Sequence, residues 1–270
     1  MCKKNKVGIQ FFLQSINDVF CFFFDLGKRA KKTRIFYLIS FLPVMMALLI
    51  KFLQPFYSNR NIEDPYIFSN MIMVFYLQFL ILILSLFFGT SVCSEEIEGK
   101  TLIYLITRPI SKASIIIGKY GAYMVLVILM TVIGVFLSFM ILNINNLLDF
   151  SIYKVLLRDV SVLILGIICY SAFFTFIGTF IKRSILFGLI FSFGWENVIQ
   201  YFPGSTQRFT IAHYLKSLLP SASSTRFSFL LFRLEPTSPR VAVLILIILT
   251  AIFLAIACLL FTVKDYILED

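Results

Sequence analysis

Residues 115–142, IIIGKYGAYMVLVILMTVIGVFLSFMIL, decide the fold class, because Lys119 is the only charged residue among them. An apolar run of about 17–25 residues is long enough for an α-helix to cross the hydrocarbon core of a bilayer. The composition agrees, since 60% of the 270 residues are hydrophobic and 14% are charged. A soluble domain is only about 45–50% apolar. The sequence therefore predicts a protein whose surroundings are mostly lipid.

Five further apolar runs have a comparable length, so six helices are predicted to span the membrane. The six runs are residues 35–54, 67–92, 115–142, 160–181, 185–202 and 241–263. Long continuous runs indicate helices, whereas the strands of a membrane β-barrel alternate between apolar and polar residues. The predicted fold class is an all-α, polytopic membrane protein with six transmembrane helices.

The N-terminal segment has an amphipathic pattern and ends in positive charge. Between residues 7 and 26 the apolar positions lie on one helical stripe. They are Ile9, Phe12, Leu13, Ile16, Val19, Phe20, Phe23 and Leu26. This pattern predicts an N-terminal amphipathic helix that lies in the membrane interface. A basic cluster at residues 28–34 stands directly before the first span, where it suits contact with anionic lipid headgroups of the cytoplasmic leaflet.

The distribution of Lys and Arg predicts that both termini are cytoplasmic. In that orientation the cytoplasmic parts, with one residue beside them, hold fifteen of the 24 Lys and Arg residues. The predicted organisation is a cytoplasmic segment at 1–34, a six-helix transmembrane domain at 35–263 and a cytoplasmic tail at 264–270. Within the domain, residues 93–114 form a cytoplasmic loop and residues 203–240 form an extracytoplasmic loop.

Composition and motifs argue against several functions. The net charge is +10, but the basic residues collect at the ends of apolar runs, so no nucleic-acid binding is expected. The five cysteines lack metal-ligand spacing, and no metal site is expected. Gly99, Lys100 and Thr101 match only the tail of an ATPase phosphate loop, and Ser94 stands where its first glycine is required. We therefore predict neither catalytic residues nor a cofactor in this chain.

The loop between the second and third runs carries the most informative charges. Residues 94–112 read SEEIEGKTLIYLITRPISK. Ser94 can cap a helix with acidic side chains in its first turn. Pro109 then stops that helix, and Ser111 or Ser114 can cap the next one. An ordinary solvated loop explains the basic residues, but three Glu residues within four positions indicate a surface for a partner.

A set of residues in and after this loop forms a recognisable pattern. The set is Glu95, Glu96, Glu98, Gly99, Lys100, Thr101, residues 107–112 (TRPISK), Gly118 and Lys119. The pattern resembles the cytoplasmic loop of ABC transporter permeases of the type-2 export class, which includes permeases linked to multicopper enzyme maturation. The six runs and the long outer loop after the fifth are similar to that class too. In the class, this loop docks into a cleft of the nucleotide-binding subunit.

The resemblance implies that this chain is a permease subunit and not an enzyme. A separate ABC ATPase subunit would bind ATP and Mg²⁺, and the permease would form a homodimer or heterodimer in the inner (plasma) membrane, in contact with its lipids. The residues implied in ATPase coupling are Glu95, Glu96, Glu98, Gly99, Thr101, Arg108, Pro109 and Lys112. The expected transport is export. The alternative is an ATPase-coupled membrane scaffold or mechanotransmitter that acts on an extracytoplasmic partner through the outer loop.

A second candidate site lies in the fifth run at Trp195, Glu196 and Asn197. Glu196 is about 18 Å into this run at about 1.5 Å per residue, beyond the midplane of a core about 30 Å thick. A carboxylate near a helix centre costs about 3 kcal/mol to insert, so it should face protein or water. Either it lines a substrate pathway, or it partners an outer-loop residue such as Arg208 or marks a helix break. In the outer loop, residues 210–219 predict a short helix.

Overall fold

The described part of the chain is entirely helical where it is regular. The computed structural model describes residues 2–53, 68, 71–98, 111–144, 149–181, 183–199, 205–219 and 237–263. The helices are α1 (Cys2–Arg29), α2 (Lys31–Leu53), α3 (a π-helical segment, Ile72–Leu80, continued by Ile81–Glu98), α4 (Lys112–Leu142), α5 (Phe150–Phe180), α6 (Ser184–Ile199, with a π-helical segment at Phe191–Glu196), α7 (Ile211–Leu218, after a 3₁₀ turn at Ser205–Phe209) and α8 (Pro239–Val263). These ranges contain no strand, and the all-α class is confirmed.

Five of these helices are long and apolar enough to span a bilayer: α2, α3, α4, α5 and α8. The predicted fifth span is present as α6, a shorter apolar helix. A polytopic membrane protein is therefore confirmed, whereas the number of six spans stays a prediction. The largest difference in boundaries is at α5, which begins at Phe150 and not at residue 160.

The predicted span, which starts at residue 160, leaves out the first turns of α5, and these turns carry the charged residues Lys154, Arg158 and Asp159. In the structure the helix continues through them, and the guanidinium of Arg158 reaches α7. Its Nε and Nη2 atoms donate to the carbonyl oxygen of Leu218 at 3.1 and 2.9 Å. A cation at the C-terminal end of a helix is favoured by the helix dipole. This polar part of α5 therefore supports α7.

The centre of the bundle is the packing of α3 against α5. A Cβ atom at Gly89 of α3 would lie 2.8 Å from Cβ of Phe174 and 2.9 Å from the carbonyl oxygen of Ser171. A Cβ atom at Gly178 of α5 would lie 2.9 Å from the carbonyl oxygen of Thr90. Small residues let two membrane helices approach backbone to backbone, which increases the van der Waals contact that holds them together.

The N-terminal helix α1 is present, but its buried face differs in part from the predicted stripe. The residues that turn toward the bundle are spaced four apart: Ser15, Val19, Phe23 and Gly27. Leu13 and Leu26, which the stripe included, are 58% and 50% exposed. The reason is that small residues allow the closest approach between helices, and a pattern of apolar residues does not register Ser15 or Gly27.

α1 lies parallel to the first part of α4. A Cβ atom at Gly118 would lie 2.8 Å from Cγ1 of Val19, and a Cβ atom at Gly27 would lie 2.6 Å from Cδ1 of Leu126. The contact therefore advances in the same direction along both helices. The interfacial position of α1 relative to a bilayer stays a prediction.

Candidate functional site

The helix α3 continues past Ser94 and carries the first acidic residues of the predicted coupling loop. The Ser94 hydroxyl donates to the carbonyl oxygen of Thr90 at 2.8 Å, and α3 ends only at Glu98. The prediction that Ser94 caps a new helix is therefore wrong, because its side chain bonds backward to the preceding turn. Glu95 consequently lies near the C-terminal end of α3, where the helix dipole disfavours an acid.

The carboxylate of Glu95 joins three helices. Its Oε1 atom forms an ion pair with Nζ of Lys32, at the start of α2. Its Oε2 atom accepts a hydrogen bond from the Tyr123 hydroxyl at 3.2 Å and lies 4.0 Å from Nζ of Lys119, both on α4. The two cations offset the unfavourable position of the acid at the end of α3. We call Lys32, Glu95, Lys119 and Tyr123 the Glu95 cluster.

Lys119 is the buried member of the Glu95 cluster. Its side chain is fully buried, whereas that of Glu95 is 40% exposed. The Lys119 ammonium lies 4.8 Å from the centre of the Phe23 ring on α1 and 5.6 Å from that of Tyr123. Burying a cation is costly unless an anion or an aromatic face compensates it, and here both are present. In the sequence, the one indication that Lys119 is special is its position as a single charged residue in an otherwise uncharged run.

The other end of the loop is held at the start of α4. The Ser111 hydroxyl accepts a hydrogen bond from the amide of Ser114 at 3.1 Å, so the predicted N-cap at Ser111 is confirmed. Nζ of Lys112 donates to the carbonyl oxygen of Thr262 at 3.3 Å, in the last turn of α8. Lys112 therefore ties the start of α4 to the end of α8.

The rest of the predicted coupling residues cannot be placed in the same detail. Gly99, Thr101, Arg108 and Pro109 lie outside the described residues. Glu96 and Glu98 belong to the last turn of α3, and their side chains also lie outside the described part. The described residues therefore define only the two ends of this loop, at the end of α3 and at the start of α4.

The second candidate site is a buried carboxylate that closes the start of α7. Glu196 is fully buried at the end of the π-helical segment of α6. Its Oε1 atom accepts from the amide of Ile211 at 3.0 Å, and its Oε2 atom accepts from the amide of Ala212 at 3.3 Å. The first amides of a helix lack partners within the helix, and the helix dipole favours an anion beside them. Thr210 supplies the N-cap oxygen for the amide of His213 at 3.3 Å, as the predicted short helix requires.

The two neighbours of Glu196 have different environments. Trp195 is 51% exposed on the outer surface of the helix bundle. Asn197 accepts a hydrogen bond from the Gln78 side chain at 3.0 Å and donates to the carbonyl oxygen of Ser192 at 2.8 Å. The Gln78 contact joins α6 to the π-helical segment of α3. Within the described residues, the structure thus brings Glu196 and Asn197 into the bundle and leaves Trp195 on its surface.

Two buried residues near Glu196 were not selected from the sequence. Tyr170 on α5 places its hydroxyl close to the Glu196 carboxylate, without a hydrogen bond of normal geometry. Lys216 on α7 is 7% exposed, and its positive charge acts on the same carboxylate. A lysine in the last turn of a short amphipathic helix gives no sequence signal of this burial.

The comparisons with known proteins identify the family. A family model described as ABC-2 family transporter protein matches residues 28–195, more than half of the chain. The chain belongs to the ABC-2 transporter family. No curated protein matches the sequence. The resemblance derived from the loop between α3 and α4 is therefore confirmed, and the protein is a membrane permease subunit of an ABC transporter.

The ABC-2 match covers one of the two candidate sites in full. Lys32, Glu95, Lys112, Lys119 and Tyr123 all lie within it. It ends at the residue before Glu196, and α7 and α8 lie beyond it. The part of this ABC-2 protein shared with its family thus contains the whole Glu95 cluster. Residues beyond the match provide the α7 side of the second site.

Proposed function

We propose that this ABC-2 permease works with a separate ATPase subunit that docks on residues 95–112 and drives export of a substrate. In this proposal the ATPase binds ATP and Mg²⁺, two permease chains assemble with two ATPase chains, and the assembly lies in the inner (plasma) membrane. The observation that carries the proposal is the fastening of both ends of this loop to the bundle, through Glu95 at one end and Lys112 at the other.

The contacts at the two loop ends give a route for mechanical coupling. A displacement of the loop would act through Glu95 on Lys32 of α2 and on Lys119 of α4. It would act through Lys112 on the last turn of α8. Interfaces between packed helices shift between discrete arrangements and do not deform continuously. Closure of the ATPase would in this way rearrange four of the long helices together.

The docking proposal is tested by reversing acidic charges that lie next to the Glu95 cluster but outside it. The variant Glu96→Lys with Glu98→Lys should lose the ATPase on affinity purification of the permease from native membranes, because removing one partner of a desolvated charge pair costs about 2–5 kcal/mol. The ATPase is recognised by its phosphate-loop sequence and by Mg-dependent ATP hydrolysis in the eluate. Glu95 is left unchanged, since its reversal would disturb the bundle.

The matched control reverses two exposed acids of α1, Asp18→Lys with Asp25→Lys. This control has the same change in net charge and should retain the ATPase. Equal recovery of the ATPase with all three proteins, at unchanged ATP turnover, would show that the loop is not the docking surface.

A scaffold or mechanotransmitter is the second candidate function, and the attachment of α7 favours it. Glu196 holds the start of α7 to α6, and Arg158 holds its end to α5. Movement of the bundle would therefore be carried directly into the outer loop at 203–240. Such a protein would show ATP turnover that no transported substrate stimulates, whereas a transporter would show substrate-stimulated turnover in proteoliposomes.

A further inference from the structure

The joint between α1 and α2 displays a group of exposed cations. Lys28 and Arg29 end α1, and Lys31 and Arg34 belong to the first turn of α2. All four side chains are exposed. We call these four residues the basic corner.

The backbone beneath the basic corner is tightly held. The buried Thr33 hydroxyl donates to the carbonyl oxygen of Gly27 at 2.6 Å, which ties the first turn of α2 to the last turn of α1. Gly27 in turn packs on α4, because a Cβ atom there would lie 2.6 Å from Cδ1 of Leu126. The four cations are therefore carried on a rigid support.

The basic corner keeps an excess of positive charge, because Asp25, one turn before Lys28 and Arg29 on α1, is a single acid beside four cations. Lys32, which stands between its members, forms its ion pair with Glu95. Across the described ranges, the four corner residues form no ion pair with an acidic side chain, and the Lys28 ammonium instead lies 4.0 Å from the centre of the Phe24 ring. Four exposed cations so close in sequence repel one another unless an external anion lies between them.

Exposed apolar side chains continue from the basic corner along both helices. On α1, Phe22 and Leu26 lie seven and three positions before Arg29 and are 62% and 50% exposed. On α2, Ile35 and Leu38 lie four and seven positions after Lys31 and are 58% and 74% exposed. Residues three, four and seven apart share one face of a helix. Each helix thus presents a cation at the corner and an apolar surface leading away from it.

We propose that the basic corner binds the phosphate headgroup of an anionic glycerophospholipid, with the acyl chains against the exposed apolar faces. The cations alone would suit a free phosphate, but the adjoining apolar surface fits a lipid. Arginine guanidinium groups bind phosphate oxygens in a bidentate manner, which favours Arg29 and Arg34 as the main contacts. This lipid site is distinct from the proposed ATPase docking and transport. Its occupancy would depend on the content of anionic lipid in the membrane, and it lies at the α1–α2 joint, next to the Glu95 cluster.

The test measures lipid binding to the purified permease in detergent by native mass spectrometry, with phosphatidylglycerol and phosphatidylcholine as probes. Phosphatidylglycerol should remain bound, and phosphatidylcholine should not. The variant Arg29→Gln with Arg34→Gln should bind phosphatidylglycerol about 25-fold more weakly, at about a fivefold loss for each cation near an anionic surface. The matched control, Lys154→Gln with Arg240→Gln, changes two exposed cations far from the corner and should bind like the parent.

Three results would overturn the site. Equal weakening by both double variants would mean that only the net charge of the protein matters. Equal binding of phosphatidylglycerol and phosphatidylcholine would mean that the site does not distinguish the charge of the headgroup. Displacement of phosphatidylglycerol by an equal concentration of inorganic phosphate would show an anion site without lipid character. Should the Gln variant fail to fold, Arg29→Lys with Arg34→Lys keeps the charges, and its binding must then still fall with rising salt. No ATPase is present, so these results leave the docking proposal untouched.

Discussion

The Glu196 carboxylate accepts a hydrogen bond from the amide of Ile211 at 3.0 Å, across fifteen residues of chain. This contact fixes the start of α7 to the end of α6. It assigns a structural task to a carboxylate for which the sequence left two roles open, one in a substrate pathway and one in the structure. A role in a substrate pathway stays a prediction that requires a measurement of transport.

Replacing Glu196 by Ala should destabilise the protein by about 1–3 kcal/mol, because the amides of Ile211 and Ala212 would be left buried without acceptors. Glu196→Gln keeps one acceptor oxygen and should cost less. The measurement is the midpoint of thermal unfolding of the purified permease in detergent. An Ala variant that unfolds at the parental temperature would contradict the capping role.

The pathway role of Glu196 is tested separately with the Gln variant in the assembled transporter. Substrate-stimulated ATP turnover should fall if a charged group at this position faces the transported molecule. Val198→Ala, at an exposed position two residues further on, serves as the control. Unchanged turnover of the Gln variant would leave the cap at α7 as the only task of the side chain.

Glu95 and Lys119 should be coupled in stability. Glu95→Gln leaves the buried Lys119 ammonium without its anion and should cost about 1–2 kcal/mol, a value kept modest because Glu95 is partly exposed. Adding Lys119→Met removes the buried cation, so the double variant should be less destabilised than the sum of the single ones. Asp25→Asn, which removes an exposed charge of α1, is the control. Strictly additive unfolding midpoints would show that the pair does not interact.

Gly89→Ala should weaken the packing of α3 on α5. Its Cβ atom would lie within 3 Å of Phe174 and of the backbone at Ser171, and such overpacking costs about 1–3 kcal/mol. Gly194→Ala is the matched control, because a Cβ atom there has no neighbour within 4 Å. Thermal unfolding should separate the two variants clearly. A drop of equal size in both would point to a general intolerance of alanine and not to helix contact.

The topology predicts which loops an impermeant thiol reagent can reach in intact cells. With the native cysteines replaced, Ser224→Cys should be labelled from outside, and Lys100→Cys should be labelled only after the membrane is opened. Labelling of position 100 in sealed cells would reverse the orientation, since the predicted cytoplasmic side rests on the Lys and Arg bias.

The sequence predicted the helices well because lipid exposure imposes long apolar runs. It failed where a charged residue within a helix serves a contact with another helix. Arg158 is an example, because its guanidinium donates to the carbonyl oxygen of Leu218 at the end of α7. It also placed a cap at Ser94, because a serine before acidic residues has the same local pattern whether a helix begins there or is about to end. Hydropathy does not distinguish these cases.

The sequence identified individual residues of the two candidate sites, but it did not identify the residues that they contact. The acidic residue Glu95 was selected, but its partner Lys32 is sixty-three residues away in sequence, and no local pattern joins them. Lys119 was named without a role, because its anion is supplied by another helix. For Glu196 the depth in the run was informative, whereas its acceptance of two amides from α7 depends on a fold that brings the outer loop back onto the bundle.

Because α3 begins with the π-helical segment Ile72–Leu80, the helix can tolerate the loss of a residue in this segment but not in the part that follows it. A wide turn accommodates an extra residue, so loss of one residue there can be absorbed by a return to α-helical geometry. The same deletion between residues 81 and 94 has no such reserve and would rotate the end of α3 by about 100°. Glu95 would then turn away from Lys32 and Lys119. Relatives of this protein that differ by one residue in α3 should therefore carry the gap in the π-helical segment, upstream of the Glu95 cluster.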